Sequence, residues 1–188
     1  MYSRLPAFVL GFHGCDISTH EKVLKGGEEL NYSTNTYDWL GHGIYFWEQS
    51  PQRALEYATL LMHHPERSKT KIETPSVVGA IIDLGNCLNL LDSLCISVVK
   101  TAYEAYLSVT PHEEIPQNKG GNDLLKRYLD CAVIQFLHGT TNNKYETVRG
   151  LFREGDPLYT NAGFYEKTHI QICVKNASCI KGYFDPRL

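Results

Sequence analysis

The chain has 188 residues, 43% of them apolar and 21% charged, with a formal net charge of −3. That length suits one domain with its own core, and the composition excludes a disordered chain. The weakly acidic balance supplies no global basic field for a polyanion.

A single domain over residues 1–188 is therefore expected. Met1-Tyr2-Ser3-Arg4-Leu5-Pro6 has no hydrophobic signal core and no apolar run is long enough to span a bilayer, so an intracellular, cytoplasmic protein without membrane contact is expected. None of the six cysteines belongs to a Cys-x-x-Cys pair, which leaves structural zinc and thioredoxin-like chemistry without a signal. Most sit in apolar surroundings as small hydrophobes, whereas Cys15 directly follows His13-Gly14 and is a candidate for a cleft.

In chain order, the apolar run over residues 7–13 predicts a central strand. Ser18-Thr19-His20-Glu21 has the form of a capping box opening a helix over residues 19–25 that ends at Gly26-Gly27. Residues 28–38 are polar and read as a loop able to cover a ligand. A strand over residues 43–47 follows, and Ser50-Pro51 then starts a helix carrying an apolar stripe through Ala54, Leu55, Ala58, Leu61 and Met62. Residues 77–84 form a β-branched strand. Leu90 to Val109 and Asn122 to Leu137 carry helical spacing and read as scaffold, with His138-Gly139 at the second helix's end. Residues 147–152 predict a strand and residues 153–165 a Gly/Pro/Asp loop. Residues 168–174 and 179–184 predict a closing β-hairpin across Lys175-Asn176-Ala177-Ser178. No repeat is visible, so the fold class is α+β.

Two short stretches carry the chemistry. Phe12-His13-Gly14 closes the first strand, and Gly41-His42-Gly43-Ile44-Tyr45-Phe46 builds the second just before the Ser-Pro helix start. The pair resembles the NAD-gripping core of the ADP-ribosyltransferases of the poly(ADP-ribose) polymerase and diphtheria-toxin type. The resemblance implies two small, mainly antiparallel sheets around an NAD cleft with helices outside. It also implies that His13 holds a ribose hydroxyl, Gly14 meets the nicotinamide amide through its backbone, and Tyr45 stacks on nicotinamide. Ser50-Pro51-Gln52-Arg53-Ala54-Leu55-Glu56-Tyr57 is similar to the helix that supplies a second stacking tyrosine, although Tyr57 lies one position beyond the polymerase spacing.

In that family a glutamate on a late strand polarises the nicotinamide ribose. Here the late strand is Lys167-Thr168-His169-Ile170-Gln171-Ile172-Cys173-Val174. Period-2 parity places Ile170, Ile172 and Val174 on the core face and His169, Gln171 and Cys173 on the other. Gln171 thus stands where the glutamate would be, which counts against polymer elongation. A glutamine hydrogen-bonds a hydroxyl but cannot act as a base. Glu154, Asp156 and Glu166 in the preceding loop can supply the charge, and Glu154 is favoured because Gly155 and Pro157 would fix its turn. Arg149 and Arg153 are candidates for the pyrophosphate or an acidic acceptor.

The activity implied is transfer of one ADP-ribose from NAD, as co-substrate, to a macromolecular acceptor, protein or nucleic acid, with release of nicotinamide; a bacterial toxin would fit. The alternative is a catalytically inactive module of the same fold that binds NAD or ADP-ribose. A metal-dependent hydrolase lacks support, because no His-Glu-x-x-His occurs and adjacent His63 and His64 point apart on a helix. No metal is expected.

Overall fold

Seven strands build one sheet in the computed structural model, which describes residues 8–142 and 144–187. Ala7, at the start of the first expected strand, and the Met1–Pro6 segment lie outside the described residues. The strands are β1 (Phe8–Asp16), β2 (Ile44–Glu48), β3 (Pro75–Asp83), β4 (Cys87–Asn89), β5 (Thr147–Phe152), β6 (His169–Val174) and β7 (Ile180–Phe184). Their order is β4-β5-β6-β2-β1-β3-β7, antiparallel throughout except for the β4/β5 pair. The four α-helices are α1 (Ile17–Leu24), α2 (Pro51–His63), α3 (Ser93–Val109) and α4 (Tyr128–Thr140). No helix among the described residues is long and apolar enough to cross a membrane.

The α+β class holds, but the expected two sheets are replaced by one continuous sheet. Its centre explains why. β1 and β3 pair along nine positions, whereas β1 and β2 share only Gly11↔Glu48 and Phe12↔Trp47. Two half-sheets, β4-β5-β6-β2 and β1-β3-β7, are therefore joined by a two-residue seam.

The expected terminal hairpin does not form. Both strands exist where the sequence placed them, but β6 pairs with β2 and β5 whereas β7 pairs with β3 at the opposite edge. A 3-10 turn at Ala177–Cys179, with the Asn176 side chain accepting from Ser178 N, lies between them. The start of α1 also differs from the capping-box reading. Asp16, not Ser18, is the N-cap: its Oδ1 accepts from Ser18 N at 2.9 Å, while its Oδ2 accepts from Glu73 N and Thr74 N. These bonds hold its carboxyl well below the usual carboxylate range, the Ser18 side chain contributing most. Ser50 caps α2 without a side-chain hydrogen bond, so the rigid φ of Pro51 carries that helix start. Residues 122–127 are turn and bridge, and the second scaffold helix runs on through His138 and Gly139.

Apolar side chains cover both sheet faces. Ile44, Phe46, Val78, Ala80, Ile82, Ile172 and Val174 pack on one face with Val23 of α1. On the other, Leu88, Val148, Phe152 and Cys173 meet Ala102 of α3 and Val133, Ile134 and Leu137 of α4, while Phe12, Trp47 and Val77 meet Ala54 of α2. Each fully buried large side chain such as Phe46, Ile82 or Ile172 contributes roughly 1.5–3 kcal/mol. Cys15 lies in the core, its thiol pushed up to about 11 by burial, and is no cleft nucleophile.

Candidate functional site

The seam between β1 and β2 sets the site. Gln49 N–H donates to Leu10 O at 2.9 Å, so ladder alternation turns the main-chain groups of Leu10, Phe12 and Gly14 toward β2. Pairing stops at Phe12↔Trp47. The Tyr45 carbonyl, which would next meet Gly14, instead lies 2.8 Å from His13 Nδ1. Gly14 is thus left with a main-chain donor and acceptor facing the parting between the two strands. Its missing side chain has a packing reason as well: a Cβ there would fall 2.1 Å from the Ala54 carbonyl oxygen, so α2 seats directly on β1.

His13 and Tyr45 do not face one another. The His13 ring sits beside Phe46, with centroids 5.9 Å apart, whereas the neighbouring Tyr45 points through the other face, where its OH donates to Gly41 O and accepts from Leu40 N. Alternation along β2 makes this unavoidable. Tyr45 pins the 39–43 turn through its hydroxyl, and burial raises that phenol's pKa far above its ordinary value. Burial lowers the pKa of His13, so its imidazole is held neutral with the Tyr45 carbonyl as partner.

The face that carries Tyr45 also carries Trp47, Gln171 and His169, since Trp47 is paired with Gln171 and Tyr45 with Cys173. Tyr57 of α2 packs its ring on Trp47, centroids 5.0 Å apart. His169, 6% exposed, is surrounded by the rings of Trp39, Trp47 and Phe152. Arg127 lies over both Trp39 and Phe152, at 4.2 and 4.9 Å from their centroids.

Glu154 enters this cluster from the loop after β5, its Oε1 3.6 Å from His169 Nε2. His169 Nδ1 is 2.6 Å from Lys167 O, and a carbonyl only accepts, so Nδ1 carries the proton and Nε2 of the neutral ring is an acceptor. Gln171 Nε2 donates to that atom at 3.1 Å. Burial raises the pKa of Glu154 and lowers that of His169. Both shifts weigh against a fully charged imidazolium–carboxylate pair. A proton can be held or exchanged here, and Gln171 is positioned beside it. Gly155, with φ +76, makes the turn that presents Glu154, as its sequence context suggested.

Other candidates fall away from the cluster. Asp156 and Glu166 are exposed, and Glu166 Oε2 accepts from Asp156 N at 3.4 Å within the loop. Arg153 is exposed and lies over the Tyr165 ring. Arg149 is committed elsewhere, forked onto both oxygens of Glu48 with Nη1 on Asn89.

No family model, curated protein or solved structure matches this chain.

Among the described residues, three buried donors in or beside the cluster, Trp47 Nε1, Arg53 Nε and Arg127 Nε, have no hydrogen-bond partner. Arg53 and Arg127 both act electrostatically on Glu154 and His169. Orphan donors flanked by aromatic rings suit a flat ligand rich in acceptor oxygens. A cavity of about 350 Å³ adjoins the cluster through Trp39, Arg127 and Phe152. Sequence reading missed Trp39, Trp47, Arg53 and Arg127; period-2 parity with Tyr45 on β2 was the available signal for Trp47, while Arg127 is brought in only by tertiary packing. Among the described residues no group of three or more His, Cys, Asp and Glu is placed to hold a metal.

Proposed function

We propose that this chain has an ADP-ribosyltransferase-like fold, binds NAD where β1 and β2 part, and moves its ADP-ribose to a macromolecular acceptor. The observation that carries the reading is one sheet face: the Gly14 main chain at the end of the β1/β2 pairing, the rings of Tyr45, Trp47 and Tyr57, and Gln171 against the His169–Glu154 couple. A glycine main-chain donor and acceptor match a carboxamide. The unpartnered N–H groups of Trp47, Arg53 and Arg127 match ribose and pyrophosphate oxygens. His13 serves to brace the parting through the Tyr45 carbonyl, rather than as a ribose ligand.

In the reaction the bond between ribose C1′ and the nicotinamide nitrogen breaks, and its electron pair leaves with nicotinamide. A nucleophile of the acceptor bonds to C1′, and the proton it loses passes to the Glu154–His169 couple. Gln171 accepts a ribose hydroxyl hydrogen bond without adding charge. Incubating the chain with NAD labelled in its adenylate half, in a cell lysate, tests this: label on a macromolecule together with free nicotinamide is expected. Saturable NAD binding without nicotinamide release would favour the silent binding module, and absence of binding, label and nicotinamide would remove the NAD reading altogether.

A further inference from the structure

A cavity of about 660 Å³ lies away from the aromatic cluster, bordered by Tyr32, Gln135, His138, Tyr145, Glu146 and Lys175 among others. That volume is ample for a small ligand. Its chemistry centres on Lys175, in the turn after β6. The Lys175 ammonium donates to His42 O at 2.9 Å and to Gln135 Oε1 at 3.0 Å, both neutral acceptors. Among the described residues no carboxylate lies within ion-pair distance of it. A half-buried ammonium hydrogen-bonded only to neutral acceptors has one N–H left to give, its charge offset only at longer range by Asp38.

A second group points the same way. His138, on the last turn of α4, is 4% exposed and its Nε2 has no hydrogen-bond partner among the described residues. Lys144 adds a cation at the rim, 5.7 Å from the Tyr145 ring centre. Glu146 is the one lining acid, and both its oxygens are engaged, Oε2 by Asn86 N and Oε1 by Asn176 Nδ2. The balance of the lining is therefore cationic, with Tyr32 and Tyr145 offering ring faces.

We propose that this cavity is a second ligand site, which takes a phosphate monoester with an aromatic body, of the size of a nucleoside 5′-monophosphate, through the Lys175 ammonium. The phosphate meets Lys175 and Lys144, and the aromatic body lies against Tyr145. His138 Nε2 gains the partner it lacks when the ring turns toward the ligand. None of these residues belongs to the Glu154–His169 cluster, so the inference stands independently of the reading above.

Titration with AMP and with adenosine, followed on the histidine and tryptophan ring resonances by NMR, tests it. AMP is expected to move the His138 resonances, whether or not the Trp47 indole also moves, and to bind at least about tenfold tighter than adenosine, as one charge-assisted hydrogen bond would give. Lys175→Gln is expected to erase the difference between the two ligands. No AMP binding, equal binding of AMP and adenosine, or shifts at Trp47 without any at His138 overturn the proposal. The comparison of ligands on the unaltered chain decides the matter even where Lys175→Gln fails to fold.

Discussion

Glu154 and His169 stand 3.6 Å apart inside an aromatic enclosure, with the proton of His169 committed to the Lys167 carbonyl on the far side of the ring. The atoms left to exchange a proton are therefore the Glu154 carboxyl oxygens and His169 Nε2. Glu154→Gln keeps the shape and removes the titrating group. Nicotinamide release is expected to fall by about 10²- to 10⁴-fold, the range for losing a general acid or base, while NAD affinity stays within a few-fold. Turnover unchanged in this variant would remove Glu154 from the reaction.

Gly14 meets α2 with no room to spare, since a Cβ would land 2.1 Å from a backbone oxygen of Ala54. Gly14→Ala must push the helix off the sheet, at a cost of about 1–3 kcal/mol or more. Urea denaturation reads this as a lowered midpoint at constant slope. Gly182→Ala is the control, because nothing lies within 4 Å of the corresponding position.

The pair Glu48 and Arg149 is largely buried, with side chains 11% and 17% exposed. Arg149→Met leaves Glu48 without its partner and is expected to destabilise the chain by about 3–5 kcal/mol, whereas the double change Glu48→Leu with Arg149→Met recovers much of that loss. A double-mutant cycle in denaturant measures the coupling. A double variant destabilised by the sum of the two single changes would show that the pair is not coupled.

Burial holds the pKa of His13, His138 and His169 below its ordinary value of 6.5, that of His138 at about 4. Each is neutral in the folded chain at a pH where it is charged in the unfolded one, so the unfolded state binds more protons. Stability is then complete above about pH 6.5 and falls as the pH drops, by up to ~1.4 kcal/mol per pH unit for each histidine. His138→Phe is expected to flatten the fall between 6.5 and about 4, as followed by thermal unfolding across that range. An unaltered profile would mean that His138 titrates normally.

Local signals carried much of the structure. β1, β2 and β3, the Ser-Pro start of α2 and the strand content of residues 169–184 follow from apolar runs and turn residues that act over a few positions. Partner choice did not. A four-residue polar break between two apolar segments has the look of a hairpin, yet β7 goes to β3 because Val9, Ala80 and Ile82 offer it a core face there. β4 escaped notice because three residues cannot display a period. At the site, the parity of β6 put His169 beside Gln171, and Gly155 pointed to Glu154. The faces of His13 and Tyr45, in contrast, depend on the register between β1 and β2, which no single strand encodes.

The middle of a sheet is ordinarily its stiffest part, because every strand there is bonded on both sides. Here it is the least bonded, since two facing positions and the Gln49 N–H to Leu10 O bond join the halves. Little backbone bonding must be surrendered for the halves to swing apart, and the amides of residues 11–14 and 45–48 are the place where such breathing would register first in hydrogen exchange. Within the strands of this fold the lowest protection is thus expected at the heart of the sheet and not at its rim.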